Sequence, residues 1–322
     1  MKSYNNIIMP MFIMSIIMSL SSHSWIIIWM GMEMNLLSFI FFMMMKMNMS
    51  SNESSMKYFL IQSSGSIIFL FSISLNIIYF NQEFHVSSLA PPIALALKSG
   101  MAPLHSWTPD IISKFNYFSL FLFLTLQKIV PTMIMFSSWY NFSMWILIMN
   151  IMVGSIAGIP QASLTKLMIF SSINNIGWMF LAIMVSMYLF MIFFISYTVM
   201  TMLMIWFMKY MQMKWLLQMK SMLLSQKMTV FFMMASLSGL PPLLGFMPKW
   251  VILKNTAMVV PLFSFLAIGF SLFTLYFYIK SSFSMLLLSH SEKKWNLSIP
   301  TPLNSLFLTL NFIGPIVWIT MT

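Results

Sequence analysis

Cysteine and arginine are both absent from the 322 residues, and the acidic side chains number only five. Without a thiol there is no disulfide framework, iron–sulfur cluster, thiolate zinc site or cysteine nucleophile. Without a guanidinium there is no planar fork to clamp a phosphate, and no glycine-rich nucleotide loop takes its place. The four histidines, His23, His85, His105 and His290, lack the mid-segment pairing that a two-histidine haem needs. No cofactor and no metal is therefore expected in this chain. Charge of either sign is scarce at 7% of residues, where a soluble domain carries about a quarter. With 60% of residues hydrophobic and a mean hydropathy of +0.90, too little polar surface exists to wrap one core against water. A soluble enzyme, a disordered tail and a nucleic-acid-binding domain are excluded together. The solvent is lipid.

A helix needs about 20 apolar residues to cross about 30 Å of hydrocarbon. Eleven segments meet or approach that length: 7–22, 25–45, 57–80, 88–100, 117–137, 142–160, 164–186, 188–209, 228–246, 256–281 and 303–321. Inside a bilayer the backbone must satisfy itself in helices or a closed barrel. Barrel strands alternate polar and apolar residues, which stretches such as Phe190–Tyr197 do not. The expectation is an all-α polytopic membrane protein of about 11 transmembrane helices. Residues 1–322 form one transmembrane domain with approximate halves 25–160 and 164–281 and a terminal helix 303–321.

All sixteen basic residues are lysine, and they are spread thinly between apolar runs. If the segments alternate, Lys2, Lys46, Lys57, Lys114, Lys166, Lys209, Lys214, Lys220, Lys227, Lys280, Lys293 and Lys294 share one side, against Lys249 and Lys254 on the other. The positive-inside rule then places the N-terminus inside and the C-terminus outside. Forty methionines accompany residues with A/T-rich codons, as expected where ATA is read as Met, in many animal mitochondria. Inside would then be the matrix, and the membrane the mitochondrial inner membrane. Lys2 is the only charge before Glu33, so no targeting presequence is expected.

Charges inside the apolar segments are costly and mark function. Glu33 lies eight residues into its segment, about 12 Å deep, and Lys128 eleven residues beyond Tyr117, about 17 Å deep. One carboxylate thus faces three lysines, Lys98, Lys128 and Lys249, so at most one of them is paired with it. For the others, desolvation and like charge both disfavour the ammonium form. A lysine able to release its proton near neutral pH is a proton carrier. The competing readings are snorkelling for Lys128 and a purely structural ion pair for Glu33.

Two segments are interrupted by glycine and proline. The fourth ends at Lys98-Ser-Gly100-Met-Ala-Pro103-Leu-His105-Ser-Trp107, the ninth at Gly239-Leu-Pro241-Pro242-Leu-Leu-Gly245-Phe-Met-Pro248-Lys249-Trp250. Proline removes a donor and clashes with the preceding turn. Such a break survives in a membrane only when it is buried in protein or lines a wet cavity. The breaks each carry a lysine, and Lys98 and Lys249 stand 151 positions apart. Matched breaks in two halves point to an inverted-repeat transporter with its ion path at the breaks. A polar axis ordered Lys98, Lys128, Lys249 is expected, with Lys128 on an intact helix. His105, beside the first break, is a secondary relay candidate.

These residues resemble a known family. Met-Gly-Met-Glu33-Met-Asn, Lys98-Ser-Gly-Met-Ala-Pro-Leu-His105-Ser-Trp, Leu-Gln127-Lys128-Ile-Val-Pro, Ser-Ser-Ile-Asn-Asn-Ile-Gly-Trp178 and Gly-Leu-Pro-Pro-Leu-Leu-Gly-Phe-Met-Pro-Lys249-Trp are similar to motifs of the antiporter-like membrane subunits of respiratory complex I. The resemblance runs through nearly the whole chain. It implies an antiporter-like fold, in an animal form lacking the first three helices of its bacterial relatives. It implies that Glu33 pairs with Lys98, that Lys128 is the central lysine and that Lys249 stands near the outlet. It also implies that Lys166, in Leu-Thr-Lys-Leu, is a further basic position bordering the path. The family often has a histidine where this chain has Asn175, which cannot titrate. The implied partners are the other membrane-arm subunits and lipids, cardiolipin among them; neither NADH nor nucleic acid is expected to bind here. The alternatives are a stand-alone cation/proton antiporter of related fold and a structural subunit that moves no protons.

Overall fold

The computed structural model describes residues 2–45, 48–78, 85–221 and 224–287, together with Thr309 and Asn311. Among them the regular elements are all helical. In chain order they are α1 (Lys2–Ser21), α2 (Trp25–Met44), α3 (Met49–Ile78), α4 (His85–Ser99), α5 (Trp107–Ile112), α6 (Tyr117–Leu124), α7 (Ile129–Ser138), α8 (Tyr140–Ile156), α9 (Leu164–Val185), α10 (Met187–Met211), α11 (Leu224–Ser238), α12 (Phe246–Val259) and α13 (Pro261–Leu287). Short 3-10 turns lie at Leu126–Lys128 and Leu216–Ser221.

Six stretches are long and apolar enough to cross a membrane: Trp25–Met44, Met49–Leu75, Tyr117–Ser138, Leu164–Val185, Met187–Met211 and Pro261–Phe283. Shorter apolar helices occupy Ile7–Ser21, Leu89–Ser99 and Tyr140–Ile156. With the interrupted pair α11 and α12, these account for ten of the eleven expected segments. The eleventh, 303–321, lies outside the described residues apart from Thr309 and Asn311. At 30 residues, α3 is about 45 Å long, more than the hydrocarbon needs. Its polar opening, from Met49 to Lys57, extends beyond the apolar run, which is why the helix starts eight residues ahead of the expected boundary at 57.

Large apolar side chains cover much of the surface, and many polar groups are buried among the apolar ones of the interior. Phe265 is 77% exposed and Tyr188 71%, while Ser38, Thr125 and Asn150 are fully buried. Many buried hydroxyls fold back onto their own helices: Ser15 donates to the Phe12 carbonyl at 2.6 Å and Ser38 to that of Asn35 at 2.9 Å. This local bonding lets serine sit inside an apolar bundle without an orphaned group.

The chain divides into two compact units, 1–146 and 147–322, with the division inside α8. In the first unit α2 packs between α1 and α3, α3 against α4, and α7 against α1 and α4. An aromatic cluster of Phe39, Tyr58, Trp107, Phe115 and Phe123, with ring centroids 5.2 to 6.4 Å apart, packs beneath the loop that follows α4. In the second unit α9 is the central element and packs against α10, α12 and α13. Of its residues only Lys166, Met184 and Val185 are not buried. A helix buried on every side needs apolar residues on every side, which its sequence supplies except at Thr165, Ser171, Ser172, Asn174 and Asn175 among the buried positions.

Candidate functional site: buried charges at three helix breaks

The two expected breaks share one backbone design. After α4, Gly100 takes φ 68°; after α11, Gly239 takes φ 88°. The Gly100 amide donates to the Leu97 carbonyl at 3.2 Å and the Met101 amide to that of Ala96 at 2.9 Å. The Gly239 amide donates to Ser236 at 3.1 Å and the Leu240 amide to Ala235 at 3.1 Å. Both patterns are Schellman caps, which need a left-handed residue just past the helix end. At Gly100 a Cβ would also strike Thr108 Cγ2 at 2.2 Å. A cis X-Pro bond follows each cap, at Ala102–Pro103 and Pro241–Pro242. Glycine and proline thus recur with an offset of 139 positions, not the 151 that separates the two lysines. Lys98 lies before its cap, on α4, whereas Lys249 lies after its cap, on α12.

Lys128 corrects the expectation of an intact helix. The fifth segment is interrupted at Thr125 (φ −113°, ψ −84°), where α6 ends, and Lys128 closes a 3-10 turn before α7 begins. The cause is Pro131, the third residue of α7. Lacking an N–H, it cannot serve the carbonyl four residues back, that of Gln127, so the helix restarts instead of continuing. The same placement recurs after the other breaks: Pro109 is third in α5 and Pro248 third in α12. In the first turn a proline costs no helical hydrogen bond. Pro248 therefore starts a helix instead of breaking one, and the second break runs from Gly239 to Gly245, the N-cap of α12.

In the first unit the structure brings Glu33 and Lys98 together. Lys98 Nζ stands 3.5 Å from Glu33 Oε1, with the lysine side chain 6% exposed and the glutamate 28%. At 3.5 Å the separation is long for a charge-assisted hydrogen bond, so the pair is held chiefly by charge. Beside it lies a cavity of about 20 Å³, lined by Met32, Asn35, Tyr58, Gln62, Lys98, Gln127 and Pro131 among others. That space and lining suit about one water molecule. Gln62 Nε2 donates to the Lys98 carbonyl at 2.8 Å, covering one of the carbonyls freed by the α4 break. Gln127 Nε2 donates to Asn35 Oδ1 at 3.1 Å. The cavity thus reaches from Lys98 to the residue preceding Lys128, which is 1% exposed and whose carbonyl accepts from Thr132 Oγ1 at 2.8 Å.

In the second unit Lys249 is 7% exposed, and its Nζ donates to the Ser238 carbonyl at 2.9 Å and the Leu237 carbonyl at 3.4 Å. These are the freed carbonyls at the end of α11. The ammonium also stands 5.4 Å from the centroid of the Trp178 ring. His105 is part of the first break itself: its Nδ1 lies 3.1 Å from the Pro103 carbonyl, and its own carbonyl accepts from Thr108 Oγ1 at 2.8 Å. Lys166 is half-buried in the first turn of α9, and Asn175 is buried on the same helix. Among the described residues no group of three His, Cys, Asp or Glu side chains forms a metal-binding set. Sequence reasoning missed Gln62, Asn35, Gln127 and Trp178. The three amides could have been flagged as polar residues within apolar segments, whereas Trp178 stood only as the end of a motif, with no role attached to it.

Known proteins are similar to this chain in sequence and in fold. The family described as NADH:quinone oxidoreductase/Mrp antiporter, transmembrane, matches residues 22–275. NADH-ubiquinone oxidoreductase chain 2 of Anopheles gambiae is 36% identical over 99% of this chain and 98% of its own length. The chain 2 of Bos taurus is 33% identical over 86% and 84%. The fold is similar to that of a chain in respiratory complex I from Thermus thermophilus with bound aureothin, with TM-score 0.78 at 18% identity over 96% of this chain and 77% of that one. It is also similar to a chain of the Mrp complex from Dietzia sp. DQ12-45-1b, with TM-score 0.72 at 16% identity over 84% and 58%. Matched in sequence along nearly its full length, and in fold to a chain of each complex, this chain belongs to the NADH:quinone oxidoreductase/Mrp antiporter family, among the NADH-ubiquinone oxidoreductase chain 2 proteins.

Proposed function

We propose that this chain is a proton-translocating membrane subunit of respiratory complex I, NADH:ubiquinone oxidoreductase, and that protons move through it by way of Glu33, Lys98, Lys128 and Lys249. The observation that carries the proposal is the Glu33–Lys98 pair, 3.5 Å apart within apolar helices and bordered by a polar cavity that runs toward Lys128. Glu33 stabilises a proton arriving on Lys98. Amide side chains around the cavity accept and donate hydrogen bonds without binding the proton permanently, so they support passage toward the second lysine. Lys128 sits where Pro131 leaves the Gln127 carbonyl without a helical donor, and a freed carbonyl lowers the cost of a nearby ammonium. Lys249 occupies the corresponding environment in the second unit, with His105 and Lys166 as secondary members of the route.

The chain serves the enzyme as a subunit: it holds neither NADH nor a redox centre of its own, and it moves charge while other subunits carry out the electron transfer. Its place is the mitochondrial inner membrane, with the N-terminus in the matrix and the C-terminus in the intermembrane space, as the lysine asymmetry supports. Its partners are the other membrane-arm subunits and lipids, with the matrix-side lysines facing anionic headgroups such as cardiolipin.

The test is Lys128→Met in the assembled complex, reconstituted in liposomes. Assembly should persist, since removing a buried charge relieves a desolvation cost, while NADH-driven acidification falls. Normal acidification with methionine at 128 would remove Lys128 from the route.

A further inference from the structure

The two breaks neutralise their exposed carbonyls in different ways. In the first, a neutral amide, Gln62, covers the Lys98 carbonyl, and the lysine turns to Glu33. In the second, the lysine itself covers the carbonyls of Leu237 and Ser238, and among the described residues no carboxylate lies within 4 Å of it. A buried ammonium without a counter-ion needs another source of negative potential. The C-terminal end of α11 supplies one, equivalent to about half an electron charge for a full helix. The face of Trp178 supplies another, because an indole ring within about 6 Å of a cation is the strongest of the aromatic partners.

We propose that Trp178 is a positioning residue for Lys249, its ring completing with the Leu237 and Ser238 carbonyls an uncharged cage that holds the ammonium at the second break. The ring is well placed for this. Trp178 is 1% exposed on α9, and the neighbouring Gly177 lies so close to α8 that a Cβ there would meet Ile151 Cγ1 at 2.4 Å. That contact fixes the depth and rotation of α9, and hence of the indole. On the other side the lysine stem passes over Gly239, where a Cβ would stand 3.0 Å from Lys249 Cδ, so the absence of a side chain at 239 lets the ammonium reach the carbonyls. The chemical consequence is asymmetric. When Lys98 loses its proton it leaves a bare carboxylate beside it. When Lys249 loses its proton, only the partial charges of the carbonyls and the ring face remain, with no carboxylate among the described residues within 4 Å, so release from the second site meets no full opposing charge.

The inference rests on the relay role proposed for Lys249, and the experiment separates the two. Complex carrying Trp178→Phe, Trp178→Met or Lys249→Met is reconstituted in liposomes, and NADH-driven acidification is measured per assembled complex. Lys249→Met is expected to impair pumping. Trp178→Met, which keeps bulk but loses the ring face, should lower it about ten-fold, and Trp178→Phe, which keeps a weaker face, about three-fold. The drop in melting temperature caused by Trp178→Met should shrink when Lys249→Met is already present, because the pair interaction is then gone. Normal pumping by Lys249→Met overturns the relay role and this inference together. Impaired Lys249→Met with Trp178→Phe and Trp178→Met equal to each other, or equal to the unsubstituted complex, overturns the inference alone. If Trp178→Met does not assemble, Trp178→Phe decides: a rate equal to the unsubstituted complex rejects the cage.

Discussion

Exchanging Glu33 for glutamine probes the first site without changing its shape. At 3.5 Å, the attraction between the carboxylate and Lys98 amounts to about 5 kcal/mol at an effective dielectric near 20. Glutamine forfeits nearly all of it, and Lys98, 8% exposed as a residue, has no other ion-pair partner among the described residues. Stranding a buried charge in this way costs about 3–5 kcal/mol. The reverse change, Lys98→Met, is milder for assembly, because the glutamate it strands is 28% exposed. The expected order of complex stability is therefore unsubstituted, then Lys98→Met, then Glu33→Gln, with the double substitution recovering part of the loss because no charge is left stranded. Pumping should behave differently: both single changes and the double change should lower it at least ten-fold, while Glu33→Asp retains part. Native gels give the assembled amount, and dye-reported acidification of proteoliposomes gives the rate. If Glu33→Gln assembled and pumped like the unsubstituted complex, the pair would have no part in proton transfer.

Other expectations follow from single distances. Gly245→Ala should abolish assembly, since a Cβ there would fall 1.7 Å from the Ser236 carbonyl oxygen and the backbone would have to part; normal assembly on a native gel would contradict the close approach. Pro131→Ala should restore a donor for the Gln127 carbonyl and straighten the join between α6 and α7, giving equal or better assembly with slower pumping; unchanged pumping would show that the break at Thr125 is incidental. Glu53→Gln removes an exposed cluster with Lys57 and Lys114, and because such surface pairs contribute about 0–1 kcal/mol, the melting temperature of the complex should hardly move. A large fall would mean that the contact from Glu53 to the loop before α6 is not a surface pair at all.

The spans and the two caps were legible because they rest on local chemistry. A run of apolar residues can only be a helix in lipid, and glycine followed by proline can only end one. That at most one lysine pairs with Glu33 was legible from one carboxylate among three lysines, but the choice of Lys98 came from the resemblance and not from the count. The lysine spacing misled, since 151 positions separate the charges while the backbone repeats at 139. Lys98 precedes its cap and turns to Glu33, whereas Lys249 follows its cap and reaches back to the freed carbonyls, so charge position does not report backbone register. The third break was written in Pro131, but a single proline within an apolar run gives two readings, kink or restart, and only the 3-10 turn at Leu126–Lys128 decides between them. The positions of Gln62 and Trp178 depend on packing across distant elements, 36 residues from Gln62 to Lys98 in the first case, and no local pattern carries that information.

The most direct measurement is the number of protons translocated per NADH oxidised, compared between unsubstituted complex and complex carrying Glu33→Gln, Lys98→Met and Lys128→Met together. The three changes leave no buried charged side chain among the described residues of the first unit, so assembly and NADH oxidation should remain measurable. A proton route through this chain predicts a lower ratio in the substituted complex at the same assembled amount. An unchanged ratio, with NADH oxidised at the normal rate, would mean that the protons pass elsewhere.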